Sequence, residues 1–203
     1  MNPIQPQAAR WLALALALVL VGATLTAHAA LKEGDPAPDF QATASLAGKS
    51  FGYSLADALK RGPVVVYFYP AAFTSGCSIQ AHSFAENADK FVAVGASIVG
   101  VSLDPIARLN EFSADPQSCA GKIPVASDAD GRIAKAYELV VSDTPAGRKD
   151  NHGQEIAHGR AERTTFIVTP DGKVAATVGG LAPDANVHTA LEAVQKITAP
   201  HKP

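Results

Sequence analysis

Val64-Val-Val-Tyr-Phe-Tyr69 is an unbroken run of β-branched and aromatic residues that stops at Pro70, and from Ser75 onward apolar residues recur at helical steps. A run with no polar alternation suits a strand covered on both faces, which occurs where helices pack on either side of a largely parallel sheet. The rest of the chain repeats this alternation. Ser54-Leu-Ala-Asp57 has capping-box spacing with Asp in the usual Glu position, and the short helix it opens ends at Gly62-Pro63. Residues 75–91 carry Ala81, Phe84, Ala88 and Phe91 on one helical stripe, and residues 97–103 read as a second buried strand. Asp104-Pro105 reads as the N-cap and first-turn proline of a helix bearing Ile106, Leu109 and Phe112, which Asp115-Pro116 interrupts.

Residues 123–127 are short and strand-like, and 132–139 suit a short helix. Strand-like 165–168 and 174–178 flank Pro170-Asp-Gly172, an antiparallel hairpin, and a last helix after Pro183-Asp184 aligns Val187, Leu191, Val194 and Ile197. The prediction is an α/β domain with a central mixed β-sheet flanked by helices, parallel in its first half and antiparallel at the hairpin. Residues 140–162 lack periodicity and are expected to form a long surface loop, with His152 and His158 solvated.

The first 29 residues read as a secretory signal: Arg10, then the apolar run Trp11 to Val21, then Ala27-His28-Ala29 as a small-residue cleavage site. The alternative is an uncleaved membrane anchor, but eleven apolar residues cover only about half of a bilayer core. The expected domain is therefore residues 30–203, exported to a periplasmic or extracellular compartment. A formal net charge of −2 offers no broad cationic surface for a phosphate backbone, which argues against nucleic acid as a partner.

The chain has two cysteines. Cys77 falls in the first turn of the helix that follows the central strand, with Thr74 or Ser75 as its cap. Unpaired backbone N–H groups and the positive helix end favour an anion there, so a thiol so placed is expected to ionise readily and act as a nucleophile. Pro70-x-x-x-Thr74-x-x-Cys77 after an apolar strand resembles the active-site signature of the peroxiredoxins, thiol peroxidases of thioredoxin fold. Cys77-Ser-Ile-Gln-Ala81 is similar to the following helix of the bacterioferritin-comigratory subgroup, and Arg163-Thr-Thr-Phe166 to the family's Arg-x-Ser/Thr-Phe strand start. Gly34-Asp-Pro-Ala-Pro-Asp-Phe40, Val101-Ser-Leu-Asp104 and Ser127-Asp-Ala-Asp-Gly131 resemble further family segments, so the likeness covers roughly residues 33–197.

The resemblance implies that Cys77 is the peroxidatic nucleophile, that Thr74 aligns the peroxide, that Arg163 rather than Arg160 stabilises thiolate and transition state, and that Pro70 walls the pocket. It implies peroxide as substrate and a thioredoxin-like or small-thiol reductant as partner; a homodimer stays open. No NAD, flavin or haem motif is present, and His82, His152 and His158 match no short-range metal spacing, so no cofactor or metal is expected. His82 reads as a helix-surface residue standing where the subgroup often has its resolving cysteine. The second thiol, Cys119, sits near the end of the helix after the second parallel strand and is the candidate resolving cysteine, with resolution by an external thiol as the alternative. A thioredoxin-type dithiol oxidoreductase would need Cys-x-x-Cys, and Thr74 stands where the partner cysteine would be.

Overall fold

The computed structural model describes residues 30–199; the signal reading for residues 1–29 lies outside them. Seven strands form one sheet: β1 (Gln41–Leu46), β2 (Lys49–Ser54), β3 (Val64–Phe68), β4 (Ser97–Ser102), β5 (Val125–Ser127), β8 (Thr164–Val168) and β9 (Val174–Gly179). Their spatial order is β2-β1-β5-β4-β3-β8-β9. β3 pairs in parallel with β4, and β4 with β5, whereas β8 runs antiparallel to both β3 and β9. This is the mixed sheet expected from sequence. Two further strands, β6 (Val141–Ser142) and β7 (Arg160–Ala161), form a separate ribbon.

Among the described residues five helices cover the sheet: α1 (Leu55–Leu59), α2 (Ser75–Ala93), α3 (Ile106–Ala114), α4 (Arg132–Ala136) and α5 (Pro183–Thr198). All of β3 is buried, and its alternate residues divide between two cores as the strand period requires. Val65 and Tyr67 face Phe84 and Phe91 of α2, Leu109 and Phe112 of α3, and Val187, Leu191 and Val194 of α5. Val64, Val66 and Phe68 face Leu55 and Leu59 of α1 and Ile133 of α4. Each fully buried Leu, Val or Phe contributes roughly 1.5–3 kcal/mol, so the central strand is anchored from both sides. Its C-terminal end, where the chain leaves for α2, is therefore a rigid platform.

The structure departs from the sequence reading in three places. The hairpin of β1 and β2 was not anticipated; Ala47 and Gly48 both take positive φ, 50° and 80°, which gives the tight turn its strand-matching twist. Asp104 is not the cap of α3. Pro105 occupies that position, and the Asp104 carboxylate is buried instead. Finally, residues 140–162 are not simply a solvated loop. Besides the β6–β7 ribbon, they bury Asp150 and Ile156 against the body of the protein.

Candidate active site

The turn from β3 to α2 carries Pro70, Thr74 and Cys77. Pro70 sits half-buried at the bend, and Ala71, Ala72 and Phe73 are buried behind it. Asp104, at the end of β4, accepts a hydrogen bond from the Ala72 N–H at 2.8 Å and another from the Ser102 hydroxyl at 2.8 Å. Phe73 adopts φ +56°, a left-handed conformation that costs a non-glycine residue roughly 1–2 kcal/mol. Its surroundings hold it there. Phe112 meets its ring edge-on at 5.1 Å, the Arg108 guanidinium lies 4.0 Å from the ring centre, and the His152 ring lies tilted against it at 4.2 Å. The Phe73 carbonyl accepts from the Asn151 N–H at 3.0 Å.

Thr74 is the N-cap residue of α2, but its hydroxyl donates to the Ala71 carbonyl at 2.9 Å rather than capping the helix. Cys77 is the third helical residue and is 1% exposed. Arg163, from the segment just before β8, brings Nη2 to 3.4 Å from the Cys77 sulfur. Its Nη1 donates to Oε1 of Gln80, one turn further along α2. Arg160 points elsewhere and donates to the Asp143 carbonyl at 3.3 Å. Of the two arginines, Arg163 is thus the one on the sulfur.

Gly76 makes that approach feasible. A Cβ at this position would lie 3.2 Å from Arg163 Nη2 and 3.4 Å from Cγ of Pro183, the first residue of α5. Gln80 is fully buried, and its Nε2 donates to Oδ1 of Asn186 on α5 at 2.9 Å. Neither Gly76 nor the Gln80–Asn186 pair was singled out from sequence. The signal existed, since Gln80 and Asn186 are polar residues on the apolar stripes of their helices, three residues from Cys77 and four from Ala190 respectively.

Cys119 is fully buried and, like Cys77, carries no disulfide. It lies in an irregular turn beyond the end of α3 rather than within the helix, because Asp115 caps α3 and Ala120 and Gly121 both take positive φ. Burial pushes its thiol well above the ordinary cysteine range. The Tyr67 hydroxyl lies beside that thiol without meeting hydrogen-bond geometry. The neighbouring Ser118 hydroxyl donates to that of Ser78 at 3.3 Å, which brings the Cys119 turn against the start of α2.

The histidines divide. His82 lies on the α2 surface, 3.5 Å from Glu86, as expected of a helix-surface residue. His152 is exposed, as expected, although one side of its ring lies against Phe73, whereas His158 is partly buried and engaged rather than free in solvent. His158 Nε2 lies 3.0 Å from Asp104 Oδ1, and its Nδ1 2.7 Å from the Gly159 carbonyl. Burial works against the charged ring, but Asp104 and the Gly159 carbonyl outweigh it and raise the His158 pKa. Asp150 pairs with the buried Arg108 and caps the N–H groups of His152 and Gln154. The loop thus grips the residues before Thr74 at two points, across a cavity of about 280 Å³ that Asp104, Arg108 and His158 help to line.

A cysteine at a helix start, touched by a guanidinium and preceded by a buried turn with a left-handed residue, is an arrangement suited to thiol chemistry. Comparison with known proteins identifies the kind. Residues 33–177 match the AhpC/TSA family. A putative peroxiredoxin of Mycobacterium tuberculosis is 30% identical over 168 residues, covering 82% of this chain and 98% of that protein. Peroxiredoxin Bcp of Xanthomonas campestris is 32% identical over 111 residues, 55% of this chain and 62% of its own length. The crystal structure of peroxidoxin BcpB from Mycobacterium tuberculosis superposes with a TM-score of 0.68 at 31% identity, over 82% of this chain and 98% of that one. The chain belongs to the AhpC/TSA family: it is a Bcp-like peroxiredoxin with a thioredoxin-like fold, a thiol-dependent peroxidase.

Proposed function

We propose that Cys77 is the peroxidatic nucleophile, that Cys119 resolves its oxidised form, and that the enzyme works outside the cytosol after removal of residues 1–29. The observation that carries the first part is the approach of Arg163 Nη2 to within 3.4 Å of the Cys77 sulfur at the start of a helix. The Cys77 thiolate attacks one oxygen of hydrogen peroxide or an organic hydroperoxide in line with the O–O bond. An S–O bond forms and the O–O bond breaks. The leaving hydroxide or alkoxide takes a proton, and Cys77 becomes a sulfenic acid. Negative charge moves from sulfur to the leaving oxygen during this step, and a guanidinium bordering both positions follows it without reorganising. The Thr74 hydrogen is committed to the Ala71 carbonyl, which leaves the hydroxyl lone pairs to accept from the peroxide O–H. Pro70 offers no N–H and walls the turn.

Resolution forms an S–S bond between Cys119 and the Cys77 sulfenic sulfur, and the displaced hydroxide leaves as water. A dithiol such as a thioredoxin-like protein then reduces the disulfide and is itself oxidised. Cys119 is fully buried at rest. Its burial disfavours the thiolate, so in this reading the turn that holds Cys119 opens to let it attack. The contact between Ser118 and Ser78 makes the two segments neighbours before opening.

One experiment tests this reading: the full mature chain is treated with one equivalent of peroxide, alkylated, and mapped by mass spectrometry. A Cys77–Cys119 disulfide is expected. Freely alkylated Cys119 beside oxidised Cys77, with full turnover on a small monothiol, would establish one-cysteine chemistry instead. The intact mass of protein from its native host checks export, with a mature N-terminus at Ala30 or Leu31 expected.

A further inference from the structure

Arg163 makes a second contact beside Cys77. Its Nη1 is held by the Gln80 carbonyl oxygen, and an amide side chain presents either an oxygen or an NH2 depending on which way it is turned. Turned over, Gln80 would set its own donors against the guanidinium. What fixes its orientation lies on α5. Gln80 Nε2 donates to Asn186 Oδ1 at 2.9 Å, and the Thr165 hydroxyl donates to the same oxygen at 2.6 Å. Asn186 in turn cannot rotate, because its Nδ2 donates to the Val178 backbone carbonyl at 2.9 Å, and a carbonyl can only accept.

We infer that Asn186 is a positioning residue for the peroxidase reaction: anchored on the Val178 carbonyl, it sets the Gln80 amide so that Gln80 aims the Arg163 guanidinium at Cys77. The inference rests on the reading of Arg163 as the group that stabilises the transition state. Gln80, Thr165 and Asn186 are all fully buried, so no water competes for these bonds and each donor has a single acceptor to choose. α5 enters the site a second time through Pro183, which packs over Gly76 beside the same guanidinium. The C-terminal helix therefore has a task in the chemistry beyond covering the sheet.

The test measures, for each variant of the full mature chain, the second-order rate of Cys77 oxidation by hydrogen peroxide and the pH profile of Cys77 alkylation. Asn186→Leu removes both amide functions at similar volume and is expected to slow oxidation on the order of tenfold to a hundredfold and to move the alkylation profile to higher pH. Val187→Ala, in the adjacent and equally buried position, should lower thermal stability while leaving both readouts unchanged. Thr165→Val, which deletes one donor to Asn186, should shift both readouts in the same direction by less, and it serves if Asn186→Leu does not fold. Gln80→Glu should rescue Asn186→Leu, because a carboxylate orients toward Arg163 by charge and needs no amide partner. In an Arg163→Ala background, Asn186→Leu should add no further loss. An undiminished effect there would overturn the inference, as would wild-type kinetics in both the Asn186 and Thr165 variants. Wild-type kinetics in Arg163→Ala itself would instead overturn the underlying reading of the site.

Discussion

Arg163 and Cys77 are 86 residues apart in the chain, yet the guanidinium Nη2 lies 3.4 Å from the sulfur. β8 lies antiparallel beside β3, so the segment entering β8 and the turn leaving β3 emerge at the same end of the sheet. Strand order alone thus brings a cation from late in the chain onto the thiol from its middle that is proposed as the nucleophile. Replacing Arg163 by Ala is expected to slow Cys77 oxidation by roughly two to three orders of magnitude, the usual loss when a preorganised charge-stabilising donor is removed. Stopped-flow kinetics checks it. Arg160→Ala should react like wild type, and the reverse pattern would reassign the role.

Gly76→Ala should impair the enzyme despite being a favourable substitution for helix propensity. The new methyl group would press on Arg163 Nη2 and on Pro183, and Arg163 cannot yield freely while Gln80 holds it. A slower first oxidation step with near-normal thermal stability is the expected combination. An unchanged rate would mean that the guanidinium has more freedom than its contacts imply.

The sequence makes the central part of this architecture legible because β3 is an unbroken β-branched and aromatic run, β4 carries Ile98, Val99 and Val101, and α2 follows β3 with a clear helical stripe. Cys77, Thr74 and Pro70 are legible for the same reason, being punctuation between two strong elements. The first hairpin is harder to see. β1 and β2 alternate, but weakly, because the apolar positions of β1 are Ala42, Ala44 and Leu46 and those of β2 are only Phe51 and Tyr53, and the strands pair through a turn whose only glycine is Gly48. Asp104 misleads differently: Asp-Pro is a good helix start, but tertiary partners at Ala72, Ser102 and His158 claim its carboxylate. The engagement of residues 140–162 depends on Arg108 and Asp104, which lie in distant sequence and carry no local signal.

His158 should make the anchoring of that loop pH-dependent. Folding raises its pKa, so the folded protein holds this proton more tightly than the unfolded chain. The stabilisation is complete below about pH 6.5, the ordinary histidine value, and is lost as pH rises through the raised folded value. Wild type should therefore lose stability relative to His158→Gln across that interval, as measured by chemical denaturation at a series of pH values. Parallel profiles for the two proteins would show that the Asp104 contact stores no such energy.

Cys119→Ser should retain the first oxidation step and then accumulate Cys77 sulfenic and, with excess peroxide, sulfinic acid, because the intramolecular trap is gone. Recycling by a dithiol reductant should slow. Equal rates of over-oxidation in wild type and variant, followed by mass spectrometry, would remove Cys119 from the cycle.

The central claim is that peroxide is reduced at the Cys77 sulfur, and the most direct measurement is peroxide consumption by Cys77→Ser beside wild type under saturating reductant. A serine hydroxyl is almost wholly protonated at neutral pH and is a poor nucleophile toward an O–O bond, so turnover should fall to background. Sustained consumption by the purified variant would contradict the account.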